Sequence, residues 1–159
     1  MDWLVSLDIA LYRVLNESLR NPVFDVLMPW LSGNKLFVPL VLLAAALIVW
    51  RGKTKGLLCV LMIAVVVGIG DGLVINTLKH AIGRQRPKVA LSDHPVSPAI
   101  RGNGMPSAHV ANWFSATMVA FLFYRRSVRF FLPVAVAVSY SRIYNGAHFP
   151  GDVLVGAIL

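Results

Sequence analysis

The chain has 159 residues, of which 57% are hydrophobic and only 14% are charged. A water-soluble domain of this length could not bury so much apolar surface, so the composition favours a membrane protein. The 15 Lys and Arg residues outnumber the 7 Asp and Glu residues and give a net charge of +8. Because these cations lie at the ends of apolar runs, we expect anionic lipid or a phosphorylated ligand as the partner, and no nucleic acid.

Residues 3–20 form the first predicted helix, which is amphipathic. One face carries four leucines at helical spacing, Leu4, Leu7, Leu11 and Leu15. Such a helix is expected to lie at the membrane interface or to pack on a bundle, and not to span the membrane alone. Residues 21–35 then predict a turn and a short helix interrupted by Pro and Gly. We therefore predict one membrane-embedded domain over residues 1–159, with an interfacial region at 1–33 and a helical core at 34–159.

Five apolar segments make up this predicted core. They are residues 36–50, 57–78, 108–124, 130–144 and 152–159. A helix needs roughly 20 residues, or somewhat fewer with polar ends, to cross the hydrocarbon. The last segment would rise only about 12 Å as a helix, so we expect it to be the first part of a longer helix. The predicted fold class is an all-α integral membrane bundle.

The basic loops predict the topology. Residues 51–55 and 125–129 are short, basic and two crossings apart, so they share one side, which the positive-inside rule makes cytoplasmic. The connections at 80–106 and 142–152 then share the opposite side. These two connections and the helix ends next to them also carry cations. The positive-inside rule does not explain cations on this side, but the binding of an anion would. These cations are Lys79, Arg84, Arg86, Lys88, Arg101 and Arg142.

Three short motifs lie on this second face. The first runs from Lys79 to Pro87, a Lys followed after six residues by Arg-Pro. The second is Pro-Ser-Ala-His at residues 106–109. The third runs from Ser141 to Asp152, with Arg142, His148 and Asp152 at fixed spacing. Each motif alone is weak, since Lys and Arg at helix ends are usually membrane anchors, but their combination on one face indicates a site.

The motifs supply the groups that bind a phosphate. Lys79, Arg86 and Arg142 place three cations around one anion, and the Arg fork suits phosphate oxygens. Ser107 begins a predicted helix, whose first amides, those of Ala108 and His109, point out of its positive end. We expect these groups together to form a phosphate cradle.

The two histidines supply the chemistry. Cleavage of a phosphate ester needs a nucleophile on one side and a proton donor to the leaving oxygen on the other. Asp152 lies four residues after His148 and can accept a hydrogen bond from one ring nitrogen, which aims the other nitrogen. This asymmetry predicts His148 as the nucleophile and His109 as the general acid.

These three motifs resemble those of the type 2 phosphatidic acid phosphatase family of integral-membrane lipid phosphatases. The resemblance covers about residues 70–156, and "NPVFDVLMPWLS" also resembles small bacterial members. It implies a bundle of about six helices, the last of them incomplete here, and dephosphorylation through a phosphohistidine intermediate without metal or cofactor. The implied roles are phosphate binding by Lys79, Arg86, Ser107 and Arg142, acid catalysis by His109, attack by His148 and orientation by Asp152. The chain departs from the family pattern at Ala108, where Gly is usual, and we expect the methyl group to be tolerated.

Several other polar residues are weaker candidates for a functional role. We expect Asp71 to make a structural hydrogen bond or ion pair inside the bundle, because it lies more than two turns from Lys79. Asn112 either orients His109 or bonds another helix. An outer rim for an anionic headgroup is one interpretation of Arg84, Lys88 and Arg101, and loose solvated charges are the other. Residues 88–105 predict a long connection, and we expect no metal at the four histidines.

The sequence therefore predicts a membrane hydrolase that removes the terminal phosphate of a lipid phosphate or diphosphate. The candidate substrates are undecaprenyl diphosphate, phosphatidylglycerol phosphate, phosphatidate and a lipid A phosphate. Two alternatives remain, a lipid-to-lipid phosphotransferase with the same site and a non-catalytic membrane protein that binds an anion or lipid. The expected location is a bacterial inner membrane, with the site facing the periplasm or exterior, and the sequence does not indicate an oligomeric state.

Overall fold

The computed structural model describes residues 2–33, 37–91 and 102–159. Within these ranges the chain is helical apart from turns and one isolated bridge between Gln85 and Asn103. The helices are α1 (Asp2–Arg13), α2 (Pro22–Leu31), α3 (Phe37–Ile69), α4 (Asn76–Ile82), α5 (Pro87–Ala90), α6 (Ala108–Phe123), α7 (Val128–Tyr144) and α8 (Pro150–Ile158). Wider π turns follow α1 at Val14–Ser18 and join α3 to α4 at Gly70–Ile75.

Helix α3 folds back on itself in the middle. Lys53 leaves the helical conformation, with φ of 49° and ψ of −130°. A methyl group at Gly56 would collide with the carbonyl oxygen of Ile48, although a straight helix separates residues eight apart by about 12 Å. The chain therefore reverses within the basic segment predicted as a loop at residues 51–55. The apolar run Val38–Ile82 is long enough to cross a membrane, and this reversal divides it into two antiparallel segments.

The second basic turn lies against the first. The Nζ atom of Lys55 is 5.0 Å from the ring centroid of Tyr124, and one cavity is lined by Arg51, Gly52 and Arg126 together. Both turns are thus at the same end of the bundle, as the two intervening crossings require. Helix α6 runs from the opposite end, at Ala108, to this one, at Phe123.

Helix α6 is the centre of the bundle and packs against α3, α7 and α8. Its buried positions are Val110, Ala111, Thr117, Val119 and Ala120, and these mostly small side chains allow neighbouring helices to approach closely. The outer face of α3 exposes large apolar side chains such as Leu42 and Leu43. An apolar surface of this extent is typical of a protein in contact with lipid.

The N-terminal helices pack on the bundle beside the ends of α7 and α8. The rings of Tyr12 and Phe149 meet edge to face, with centroids 5.3 Å apart. The buried Asn16 side chain donates to the carbonyl oxygens of Ile143 and Tyr144, at 2.9 and 2.6 Å, where α7 ends. Of the two arrangements expected for α1, packing on a bundle is the one observed.

Candidate active site

A pocket of about 390 Å³ lies at the end of the bundle opposite the basic turns. It is lined by Asp71, Lys79, Arg86, Ala108, His109, Asn112, Trp113, Arg142 and His148. Six of the eight predicted site residues are in this lining, and the other two, Ser107 and Asp152, are fully buried close to it. The structure therefore brings together all three motifs, which are separated by up to 73 positions in the chain (from Lys79 to Asp152).

Two left-handed glycines turn the chain into the pocket. Gly83, with φ of 62°, ends α4 and donates its N–H to the Lys79 carbonyl at 3.0 Å, which lets the chain turn toward Arg86. Gly146, with φ of 67°, follows α7, and the N–H of His148 then reaches back to the Arg142 carbonyl at 3.3 Å. Glycine adopts this conformation without the steric cost that a side chain would bring.

The start of α6 is fixed against α8. The Ser107 N–H donates to the backbone carbonyl of Asp152 at 3.1 Å, and the Ser107 side chain is fully buried. The first amides of α6, at Ala108 and His109, have no carbonyl one turn before them within the helix, so they remain available to an anion. Ala108 lines the pocket, and phosphate binding by these amides stays a prediction.

Close packing at Gly156 leads to a first prediction. A methyl group there would lie 2.6 Å from the Ser107 carbonyl oxygen, so Gly156→Ala should push α8 away from the cradle. Overpacking of this kind costs roughly 1–3 kcal/mol, and we expect a lower Tm in detergent together with weaker phosphate binding. Gly68→Ala is the matched control, since a methyl on that helical glycine meets nothing within 4 Å. If both alanine variants behave like wild type, the cradle does not depend on this contact.

One cation of the pocket, Arg142, is held by a residue outside the pocket lining. Arg142 donates through Nη1 to the Ser32 carbonyl at 2.9 Å and also to the Ser32 hydroxyl. Four buried polar atoms at the site have no hydrogen-bond partner within the described residues, namely Arg86 Nε, Ser107 Oγ, Arg142 Nε and His148 Nδ1. Buried polar atoms without partners are rare in folded proteins, and two of these four belong to Arg86 and Arg142, which line the pocket with Lys79. An anion in the pocket would balance the charge of the three cations and offer hydrogen-bond acceptors to the two arginines and Ser107, whereas His148 Nδ1 faces Asp152.

His148 and Asp152 are both buried, and the histidine Nδ1 lies 3.6 Å from the Asp152 Oδ2. This distance is longer than a hydrogen bond, although such bonds often tighten when substrate binds. Oδ2 instead accepts the Phe149 N–H at 2.9 Å. Burial lowers the pKa of His148, with Arg142 acting in the same direction and Asp152 opposing it. The imidazole is therefore neutral near pH 7, as a nucleophile must be.

The lowered pKa of His148 gives a second prediction. Protonation removes the lone pair of a histidine nucleophile, so activity should fall when the pH drops through the pKa of His148 in the folded protein. Because that pKa is lowered, the acid limb of kcat/KM should lie below pH 6.5, the ordinary histidine value. A pH series of kcat/KM measures it. An acid limb at or above the ordinary value would contradict the assignment.

Both interpretations offered for Arg84, a rim for an anionic headgroup and a loose solvated charge, are wrong. Its Nη1 donates to Asp152 Oδ1 at 2.9 Å, and its Nη2 lies 2.5 Å from Asp8 Oδ2. Its guanidinium carbon is also 4.5 Å from the Phe149 ring centroid. Sequence reasoning missed this role because Asp8 is 76 positions away and no local pattern links it to Arg84.

The remaining weaker candidates have different positions. Asp71 lines the pocket together with Lys79, despite the separation that favoured a purely structural role. It lies in the π turn Gly70–Ile75, a type of distortion that is frequent at functional sites and that sequence periodicity does not reveal. Asn112 also lines the pocket, whereas Lys88 is exposed. Arg101, His94 and most of the predicted connection at 88–105 lie outside the described residues.

Comparison with known proteins places the chain in a family. Residues 55–159 match the family model described as the PAP2 superfamily. The chain is 29% identical over its whole length to the lipid A 4'-phosphatase of Bacteroides thetaiotaomicron, across 74% of that protein. It is 32% identical over 97% of its length to BcrC of Bacillus licheniformis, named a bacitracin transport permease protein, across 75% of that protein.

Two crystal structures share the fold. LpxE of Aquifex aeolicus matches 96% of this chain and 88% of its own, with a TM-score of 0.70 and 24% identity. The PAP2 type phosphatidylglycerolphosphate phosphatase of Bacillus subtilis matches 99% of this chain and 80% of its own, with a TM-score of 0.64 and 24% identity. These likenesses confirm the predicted all-helical membrane fold. The chain therefore belongs to the PAP2 superfamily, and the family and the class of enzyme predicted from its three motifs are confirmed.

Proposed function

We propose that this protein is a membrane phosphatase that hydrolyses the terminal phosphate of a lipid phosphate or lipid diphosphate without a metal. The observation that carries the proposal is the pocket itself. It collects three cations, the start of α6 and two histidines, one of which is backed by a carboxylate. A receptor for an anion needs only the cations and amides, so the histidines favour catalysis.

A lipid substrate is supported by a neighbouring cavity. An apolar space of about 370 Å³ lies between the two halves of α3 and α6, and Asn112 and Trp113 line both this space and the phosphate pocket. An acyl or isoprenyl chain there would place its phosphate among the cations. The relative from Bacteroides thetaiotaomicron is named for lipid A, which supports a lipid A phosphate as one member of the substrate panel.

The proposed first step forms a phosphohistidine. Lys79, Arg86 and Arg142, with Ser107 and the first amides of α6, hold the phosphoryl oxygens and stabilise their charge in the transition state. Nε2 of His148 attacks phosphorus, since Nδ1 faces Asp152, and the bond from phosphorus to the leaving oxygen breaks. His109 gives its proton to that oxygen, which leaves as a lipid alcohol or lipid monophosphate.

The second step returns the enzyme to its starting state. His109, now neutral, takes a proton from water as the water oxygen attacks phosphorus. The bond between phosphorus and His148 breaks, and inorganic phosphate leaves. The proposed orientation in a bacterial inner membrane has this pocket on the periplasmic or exterior face, because the basic turns are at the other end.

The test is phosphate release from a lipid panel by purified protein in detergent, with a chelator present. The panel contains undecaprenyl diphosphate, phosphatidylglycerol phosphate, phosphatidate and lipid A. We expect release from at least one lipid by wild type and by His80→Ala, an exposed control on α4. No release from any lipid would contradict the proposal, and transfer of phosphate to a second lipid instead of water would identify a phosphotransferase.

A further inference from the structure

The first helix of the chain reaches the catalytic carboxylate through one arginine. Asp8 of α1 contacts Arg84 through Oδ2 at 2.5 Å, and its Oδ1 accepts the Gly151 N–H at 2.7 Å at the start of α8. Arg84 then donates to Asp152 Oδ1 at 2.9 Å. The side chains of Asp8 and Arg84 are only 13% and 24% exposed, so both charges are largely removed from water.

Each oxygen of Asp152 has a separate task. Oδ1 accepts from Arg84, while Oδ2 accepts the Phe149 N–H at 2.9 Å and faces Nδ1 of His148 at 3.6 Å. A carboxylate that is fully buried needs a partner to keep its charge, and Arg84 is that partner. The second contact of Arg84, with Asp8, fixes the guanidinium from its other side.

The packing leaves this arrangement little freedom. A methyl group at Gly151 would lie 2.9 Å from Asp8 Oδ2 and 3.3 Å from Arg84 Nη1, and one at Gly104 would lie 3.1 Å from Asp152 Oδ2. The Arg84 backbone is also held, because its carbonyl accepts the Gly104 N–H at 2.6 Å. The carboxylate of Asp152 is therefore held by Arg84, which follows α4, and by the Phe149 N–H just before α8, while Asp8 of α1 holds Arg84.

We propose that Asp8 and Arg84 form a positioning unit that aims Asp152 at His148 and sets the net charge behind the imidazole. The unit rests on the proposed function for its role in turnover. Asp8 lies outside residues 55–159, which match the family model, so this helix adds a component to the site that the match does not include.

The charge balance explains why two acids flank one arginine. Asp8, Arg84 and Asp152 together carry one net negative charge, which balances the positive charge of a protonated or phosphorylated His148 imidazole. The other charged or titratable groups facing His148 are Arg142, Arg86 and His109. These groups are cationic or neutral, so the negative charge behind His148 comes from this unit.

The unit predicts opposite effects for its two members. Asp8→Asn removes a negative charge and should lower the pKa of His148, whereas Arg84→Gln removes a positive charge and should raise it. Because each of these charges acts on the His148 ring from behind Asp152, we expect its removal to shift the pKa of His148 by about 0.5 to 1 pH unit. Both variants should also lower kcat, by about 10-fold, while KM and competitive inhibition by inorganic phosphate stay within about threefold, because the three cations are unchanged.

The experiment is a titration of the His148 ring by NMR, with labelled histidine in full-length protein in detergent, followed by kcat and KM. Glu17→Gln is the matched control, an exposed acid on the same N-terminal segment that should shift nothing. If Arg84→Gln does not fold, the lower pKa in Asp8→Asn alone carries the test. Shifts in the same direction, no shift in either variant, or a rise in KM at constant kcat would overturn the proposal. The titration needs no turnover, so failure of the unit is distinguishable from an inactive wild-type protein.

Discussion

Replacing His148 with alanine should lower kcat by about 10⁴-fold or more, the size of effect seen when an enzyme loses its nucleophile. His148 is buried, lines the pocket and has Asp152 behind its Nδ1 at 3.6 Å. Lys79, Arg86 and Arg142 remain in place, so inhibition by inorganic phosphate should change by no more than about threefold.

The measurement is single-turnover phosphate release together with the inhibition constant for phosphate. His80→Ala is the control, because His80 is exposed on α4 and does not line the pocket. If the His148 variant keeps wild-type turnover, another group attacks phosphorus. If it loses phosphate binding as well as turnover, the substitution has disturbed the pocket.

His109→Ala should lower kcat for a lipid phosphate by about 10²- to 10⁴-fold, the usual contribution of general acid catalysis. His109 is the second residue of α6 and lines the pocket. A lipid alcohol is a poor leaving group and needs the proton. An aryl phosphate such as 4-nitrophenyl phosphate does not, because its phenolate leaves as an anion.

A comparison of the two leaving groups therefore distinguishes the role of His109 from that of His148. The first-turnover release of nitrophenolate should be nearly restored in His109→Ala and should stay absent in His148→Ala. An equal loss on lipid and aryl substrates in the His109 variant would show that His109 is not the general acid. Asn112→Ala is a useful comparison, since Asn112 lines the same pocket from the next turn of α6.

Most of the pocket was predictable because its chemistry is local in the chain. Each motif places its polar residues within about a dozen positions, at the end of an apolar helix, and alternating crossings bring those ends to one side. The hairpin at Lys53 and the turn at Tyr124 were predictable for the same reason, as basic interruptions between apolar runs. The observed helix ends differ from the predicted ones by a few residues. Helix α7 begins at Val128 and not at residue 130, and α8 begins at Pro150 and not at residue 152.

The supporting contacts were not predictable from the sequence. Arg142 is held by Ser32, 110 positions away, and Arg84 by Asp8, 76 positions away, so no spacing rule connects them. The π turn places Asp71 in the pocket although the separation from Lys79 argued against it. Gly156 is ordinary in sequence, and only the contact with Ser107 shows why a side chain would not fit. These features depend on how distant helices pack.

The central claim is that His148 receives the phosphoryl group. The direct measurement uses His109→Ala with 4-nitrophenyl phosphate, because phosphorylation then needs no acid while hydrolysis still needs His109 as a base. Rapid quenching at high pH, where phosphohistidine is stable, and mass spectrometry of peptides should find phosphate on His148. The same label should be brief in wild type and absent in His148→Ala. If wild type and His109→Ala both release inorganic phosphate and neither contains phosphorylated His148, then water attacks the substrate directly. That result would contradict the account.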